Sequence, residues 1–523
     1  MNLSITVPDV LLVQPPIQGA YNFWKSESLG MGYLAAALEK HGYTVHILDA
    51  FLLDMDVETV IQYIRKTSPR LLLGFSMLSY ELYRTGNLIL SRLRTEGFSI
   101  HVTAGSWFPT FWHHTMIEEG FAADSIVIGE GERSICALVD YLNTGIWAVN
   151  DSFLKHEQIG NTLVIHQETT LSDIDSLPHP RRDFLPEALQ RYHLATAYTS
   201  RGCSHSRCTF CSVSSFYKGG PKHRLRSPEN VIDEVQKISH TGADFIFFAD
   251  EDFIGESSES SERALRIFEG VAERGISMRY AFNCTTRGVG KKLFQRLNDL
   301  GLAAVYIGVE SNLNRILKLF SKGVCGADID RSIGILHDLN IKLVPAWIMF
   351  ERHTTLDEVE SQIKFLLKLD AYHVNYLKAL YVMKDTPIEK IYRAELYRTF
   401  FDQKYFFMEP DVELLVRILL TDYLPETMPN TNRIYPIWHK LLAGYGTDDQ
   451  QHRYDVINTR MKELSLGFTS ELIERIRSRS LNGLAQTLSD HVQEWKKVGS
   501  EIDSLAQCIT QPFHRDGGGL YVV

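Results

Sequence analysis

The sequence predicts an α/β protein in three parts: a doubly wound, Rossmann-like N-terminal domain, a central partial barrel of six β/α repeats, and an all-α C-terminal region. Three observations carry this. Short apolar runs alternate with helical patterns from about residue 10 to 140, a second series of runs starts at Leu194, and strand patterning stops near residue 395. The resulting division is 1–145, a linker at 146–193, a barrel at 194–394 and helices over 395–523.

In the first part the apolar runs are Val10–Val13, Thr44–Leu48, Leu71–Ser76, Ile100–Ala104 and Ser125–Ile128, with helices expected at Gly32–His41 and Val57–Lys66. Such runs without polar alternation suit a parallel sheet covered on both faces. The loops after these strands are small and polar: Gln14-Pro15-Pro16, Ser76-Met77-Leu78-Ser79, Gly105-Ser106 and Gly129-Glu130-Gly131-Glu132. Strand carboxyl ends are where doubly wound sheets hold ligands, and glycine lets a bulky ligand approach the backbone. Taken singly, each loop is also ordinary turn chemistry.

Residues 146–193 are rich in Asp, Asn, Thr and Pro, including Ser176-Leu-Pro178-His-Pro180, and read as a connector. The second series has strands at Leu194–Ser200, Ala243–Ala249, Met278–Phe282, Ala304–Gly308, Ile341–Met349 and His373–Val382. Ser227 and Pro228 give a helix start by N-cap and first-turn proline. The second strand ends in Asp250-Glu251-Asp252, carboxylates at the edge where barrel enzymes keep their chemistry. Six repeats rather than eight imply an open barrel with ligands at one rim. Helices are then expected at Asp411–Thr421, Tyr435–Tyr445, Arg453–Glu463, Ser470–Arg479 and Leu484–Lys497.

The organising motif is Thr199-Ser-Arg-Gly-Cys203-Ser-His-Ser-Arg-Cys208-Thr-Phe-Cys211. Three clustered thiolates leave a metal centre one ligand short of four. A zinc site would need a fourth ligand, for which His205 is placed, whereas an iron-sulfur cluster with three protein ligands leaves one iron open. Of seven cysteines, four are scattered, which gives no disulfide framework and suits a reducing, cytoplasmic setting. No apolar run approaches the ~20 residues of a membrane span, and the N-terminus lacks the pattern of a secretory signal. A net charge of −10 argues against nucleic acid as a partner.

In this order the motifs resemble the cobalamin-dependent radical S-adenosylmethionine enzymes. The resemblance rests on Pro15-Pro16, Leu29-Gly30-Met-Gly32 opening a helix, Gly-Phe-Ser76, Gly-Glu130-Gly131-Glu, the cysteine motif, the acidic group after the second barrel strand, Gly308-Val-Glu310-Ser311 and Asp385-Thr-Pro387. Two departures stand out: four residues, not the commoner three, separate the first two cysteines, and Gly105-Ser106-Trp107 replaces the usual Gly-Gly-Pro.

The resemblance implies that Cys203, Cys208 and Cys211 bind a [4Fe-4S] cluster whose fourth iron takes the amino and carboxylate groups of S-adenosylmethionine. It implies Phe210, Asp250, Glu251, Arg287, Glu310 and Ser311 around that molecule. For cobalamin it implies Pro15, Pro16, Leu29, Gly30, Gly32, Ser76, Met77, Leu78, Tyr80, Gly105, Trp107, Glu130 and Gly131. The Asp-x-His-x-x-Gly loop of cobalamin mutases is absent, so the lower face of the corrin is expected to meet water or a side chain other than His, with Met77, Leu78 and Tyr80 as candidates. The implied activity is methyl transfer to an unactivated carbon of a small metabolite or natural-product intermediate, through a 5'-deoxyadenosyl radical and methylcobalamin, with an electron donor such as flavodoxin or ferredoxin. Within the same resemblance stand rearrangement or ring contraction without methyl transfer, and methylation of phosphorus. A methylthiotransferase would bring further N-terminal cysteines, where only Cys136 is present. From another class, a zinc-stabilised interaction protein without catalysis also fits three cysteines and a histidine.

Overall fold

The computed structural model describes residues 7–17, 25–147, 154–372, 376–392 and 407–509. Its first sheet contains β1 (Val10–Gln14), β2 (Val45–Asp49), β3 (Leu72–Ser76), β4 (His101–Gly105) and β5 (Ser125–Ile128), all parallel, in the order β2-β1-β3-β4-β5. All five residues of β1 are buried, because helices cover both faces. Val10 and Leu12 pack on one side with α1 (Leu29–Lys40) and α5 (Glu132–Thr144). Leu11 and Val13 pack on the other with α2 (Val57–Thr67), α3 (Tyr80–Thr95) and α4 (Trp107–Glu118). The order reverses between β1 and β3, which opens a crevice beyond their carboxyl ends.

The stretch read as a linker is only partly one. It carries a hairpin, β6 (Leu154–Ile159) and β7 (Thr162–Gln167), and β7 pairs parallel with β5 to extend the sheet to seven strands. Its polarity has a physical reason: β6 is the sheet edge, with four of its six residues exposed, and edge strands carry charge to block further pairing.

The second sheet is parallel in the order β14-β13-β12-β11-β8, with β8 at Ala195–Ala197, β11 at Phe245–Phe248, β12 at Arg279–Cys284, β13 at Leu302–Glu310 and β14 at Lys342–Trp347. Of the sixth expected strand, His373–Asn375 lie outside the described residues, and the remainder contributes a single parallel bridge from Ala379 to Phe350. The first barrel strand is also shorter than expected. After Ala197 the chain turns into a ribbon of β9 (Ser200–Gly202) and β10 (His223–Leu225), which forms the base of the cysteine loop.

The C-terminal region is helical throughout its described residues, as expected, but the helices expected at 453–463 and 470–479 are one 30-residue helix, Asp448–Arg477. Gly467 inside it marks no break, because buried Leu466, Phe468 and Leu472 hold that turn against its neighbours. The helix Tyr435–Ala443 closes the barrel from below: Trp438 is fully buried and its Nε1–H donates to Tyr306 Oη at 3.3 Å. No helix among the described residues is long and apolar enough to cross a membrane.

Candidate active site

The cysteine loop is held by the acidic run after β11. The side chain of Asp250 is fully buried, and its carboxylate accepts from Thr199 N at 2.7 Å, Thr199 Oγ1 at 2.9 Å and the Ser200 amide. Asp252 accepts from Ser204 N at 3.3 Å and Gly255 N at 3.2 Å. Between them, Glu251 faces the barrel cavity and accepts from Gly202 N at 3.2 Å and Tyr217 Oη at 3.1 Å. The three carboxylates lie past the end of β11, in a bend at Glu251 that turns this side chain away from its two neighbours. Asp250 is therefore a clamp on the loop, away from the cavity where S-adenosylmethionine contacts were expected.

Gly202 must be glycine. Its φ is +85°, and a Cβ there would meet Lys222 O at 2.1 Å across the β9–β10 ribbon. That close pairing brings Cys203 N to Lys222 O at 3.0 Å and starts the loop.

Cys203, Cys208 and Cys211 line one cavity of about 410 Å³ at the open rim of the barrel. Burial pushes Cys203 up to about 12 and Cys211 up to about 11, and raises Cys208 as well. Such thiols stay protonated until a metal displaces the proton. His205 is committed elsewhere: its Nε2 bonds Ser321 O at 2.8 Å, and its Nδ1 lies 3.4 Å from Glu256. Among the described residues no three His, Cys, Asp or Glu side chains are set to hold a single ion. Three separate thiols facing an open cavity instead fit a cubane, which takes one thiolate per iron.

Other predicted residues divide the same way. Phe210 lines the cavity and packs on Phe320 with ring centroids 4.9 Å apart. Arg287 lines it and pairs with Glu256 at 3.3 Å. Glu310 lines it from a register shift in β13, with φ +64° and an ion pair to Lys322 at 3.3 Å. A left-handed φ at a glutamate is strained backbone, and here it aims the carboxylate inward. Ser311 does not reach the cavity. It is fully buried, and its Oγ accepts from Leu313 N at 3.2 Å as a turn cap. Sequence reasoning did not find Lys322, Lys378, Tyr217, Asn283 and Tyr435, which also border the site. None belongs to a local motif; they arrive from separate elements.

A second cavity, about 300 Å³, lies between the carboxyl ends of β1, β3, β4 and β5 and the barrel. Of the residues expected against the corrin, Leu29, Gly30, Ser76, Leu78, Gly105, Trp107, Glu130 and Gly131 line it, and Pro15, Pro16, Gly32, Met77 and Tyr80 do not. Pro16 O accepts from Thr85 Oγ1 at 2.5 Å, and Pro15 Cγ would lie 3.2 Å from a Cβ at Gly86. Met77 is wholly buried against that same glycine, so it is core. A Cβ at Gly32 would meet Arg181 O at 2.5 Å, so this glycine lets the interdomain segment approach. Tyr80 packs on Phe108 at 6.0 Å. Leu78 alone of the three lower-face candidates borders the cavity. The cavity fits a corrin in kind: its edges are glycine backbone, and the buried Gln14 Oε1 faces it without a hydrogen-bond partner.

The Gly-Glu-Gly-Glu loop has a further task. Glu130 accepts from Arg201 Nη1 at 2.6 Å and Arg224 Nη2 at 2.9 Å, while Glu132 pairs with Arg201. Burial would raise the Glu130 carboxyl, but Arg201 and Arg224 outweigh it and hold it below its ordinary value.

Residues 198–366 match the family model of the radical SAM superfamily, and residues 25–139 match that of the B12 binding domain. The chain belongs to the cobalamin-dependent radical S-adenosylmethionine enzymes, with a [4Fe-4S] cluster, S-adenosylmethionine and cobalamin as its cofactors. It is similar to an uncharacterized methyltransferase of Pyrococcus horikoshii, 25% identical over 381 residues, covering 71% of this chain and 80% of that one. It is 27% identical over 421 residues to the 4'-phospho-dehydrooxetanocin synthase of Priestia megaterium, covering 72% of this chain and 52% of that protein, about half its length. In fold it resembles the cobalamin-dependent S-adenosylmethionine radical enzyme OxsB with aqua-cobalamin bound, at a TM-score of 0.70 and 19% identity over 96% of this chain and 81% of that one.

Proposed function

We propose that this enzyme transfers a methyl group to an unactivated carbon of a small metabolite or natural-product intermediate. One observation carries the reading: the two cavities share a wall. Tyr217 borders the cobalamin cavity, and its hydroxyl donates to Glu251 of the thiol-lined cavity at 3.1 Å. A substrate at that junction lies between the two centres.

Bound there, the cluster and S-adenosylmethionine supply a hydrogen-abstracting radical, given an electron from a donor such as flavodoxin or ferredoxin, and cobalamin supplies a transferable methyl group. The chain's own residues do the rest. Cys203, Cys208 and Cys211 hold the cluster. Glu251 and Glu310 place carboxylates where a ligand ammonium is favoured by charge, and Arg287 offers a guanidinium for a carboxylate. Leu78 presents an apolar side chain to the corrin cavity, Trp107 closes its wall against Phe216 with rings 4.3 Å apart, and Tyr435 closes the barrel floor. Together they exclude water and position the reacting carbon.

The test is anaerobic reconstitution with iron, sulfide and cobalamin, followed by detection of 5'-deoxyadenosine and of label passing from the methyl group of S-adenosylmethionine into product. Unlabelled, rearranged product would instead support chemistry without methyl transfer, a reading favoured by similarity to a protein named as a synthase. Label on phosphorus would support the third outcome.

A further inference from the structure

Three cations and three carboxylates border the thiol-lined cavity, and they do not all pair with one another. Arg287 is paired with Glu256, and Lys322 with Glu310, each at 3.3 Å. Glu251 is met by Tyr217 Oη and Gly202 N. Lys378 is the exception. Its ammonium has no hydrogen bond or ion pair among the described residues, although it borders the same cavity.

The backbone holds Lys378 there. Its carbonyl accepts from Met349 N at 3.0 Å and Phe350 N at 3.2 Å, so the chain runs beside the end of β14 at the sixth position of the barrel. The lumen position on β14 is small, with Ala346 exposed to the cavity, whereas the space over Gly308 is taken by Glu310 and Lys322. Space therefore lies in front of a cation. The floor below is Tyr306 and Tyr435.

We infer that Lys378 is the anchor for an anionic group, a carboxylate or phosphate, on the substrate that occupies this cavity beside S-adenosylmethionine. The side chain is exposed to the cavity rather than packed in protein, and an ammonium open there with no carboxylate of its own offers a charge-assisted contact to an anion brought by the substrate. The same group fixes the substrate's orientation, since one charge-assisted contact at the far wall leaves the opposite end pointing to the Glu251–Tyr217 junction.

The inference rests on the proposed function for the identity of the cavity's other occupant, and the two are separable by experiment. With the full chain reconstituted anaerobically and S-adenosylmethionine present, calorimetric titration with inorganic phosphate and, separately, with acetate distinguishes the two anion types. The expected result is that one of them binds wild type and that Lys378→Met weakens it by about tenfold or more, while Lys378→Arg retains it and Lys364→Met, at an exposed helical position, matches wild type. Equal anion binding by Lys378→Met and wild type overturns the inference. So does a loss of affinity for S-adenosylmethionine in Lys378→Met with anion binding unchanged, which would assign the ammonium to that molecule's carboxylate. Absence of 5'-deoxyadenosine from the wild type, with Lys378-dependent anion binding intact, would remove the proposed function and leave the anion site standing.

Discussion

Arg201 Nη1 donates to Glu130 Oε1 at 2.6 Å, tying the loop that carries Cys203 to the loop that ends β5 of the B12-binding domain. The guanidinium also pairs with Glu132, and Arg224 adds a second donor to Glu130. One buried network thus joins the two cofactor cavities. Breaking such a pair strands a buried charge, at a cost of about 3–5 kcal/mol. Arg201→Ala should lower the melting temperature and the fraction of cobalamin retained through gel filtration together. Retention equal to wild type would refute a coupling role.

Gly202 sets the approach of β9 to β10. In Gly202→Ala the new Cβ cannot be accommodated 2.1 Å from Lys222 O, so the ribbon must open and Cys203 must move. The expected outcome is a folded protein, by circular dichroism, that takes up less than half the wild-type iron on reconstitution. Full iron content would show that the loop tolerates the shift.

Trp107 stands where the family usually has proline, and it stacks on Phe216 from the segment after Cys211. Removing it opens the wall between domains and forfeits a half-buried aromatic contact. Trp107→Ala should destabilise by about 1–2 kcal/mol and weaken cobalamin binding, read by urea unfolding and by absorbance titration. Trp107→Phe should recover most of both.

Glu251 gives a pH dependence. Burial lifts its carboxyl to about 7 from an ordinary value near 4.5. A raised value means the folded protein prefers the neutral acid, so stability is intact below about pH 4.5 and falls as the pH rises through about 7. Glu251→Gln keeps an acceptor and cannot ionise. Relative to wild type, the ligand-free variant should therefore gain on the order of 2 kcal/mol at pH 8 and nothing near pH 4.5. A constant difference across this range, measured by chemical unfolding, would show that the carboxyl is already ionised in the fold.

Much of this site could be read from the chain. The cysteine motif, the alternating strands and the glycine-rich loops are local signals, since each depends on residues within a few positions of one another. They carried the class of protein and the presence of two cofactor regions, and eight of the thirteen residues expected against the corrin line the cavity between them. Local signals misled where neighbours in sequence face apart. Asp250 and Glu251 look alike as a pair, yet the bend after β11 leaves one buried as a clamp and the other facing the cavity. Glu310 and Ser311 part as well, there because the left-handed φ of Glu310 aims its carboxylate inward.

What the sequence by itself determined is therefore the parts: a metal-binding loop, two α/β units and a helical tail, each set by short-range periodicity and turn chemistry. Only the tertiary structure decided which groups share a cavity. Lys322 and Lys378 come to the thiol-lined cavity from far along the chain, Arg201 meets Glu130 across the domain boundary, and Tyr435 enters from the tail. Such contacts follow from packing whole elements together, and no window of residues encodes the distance between two elements that meet only after folding.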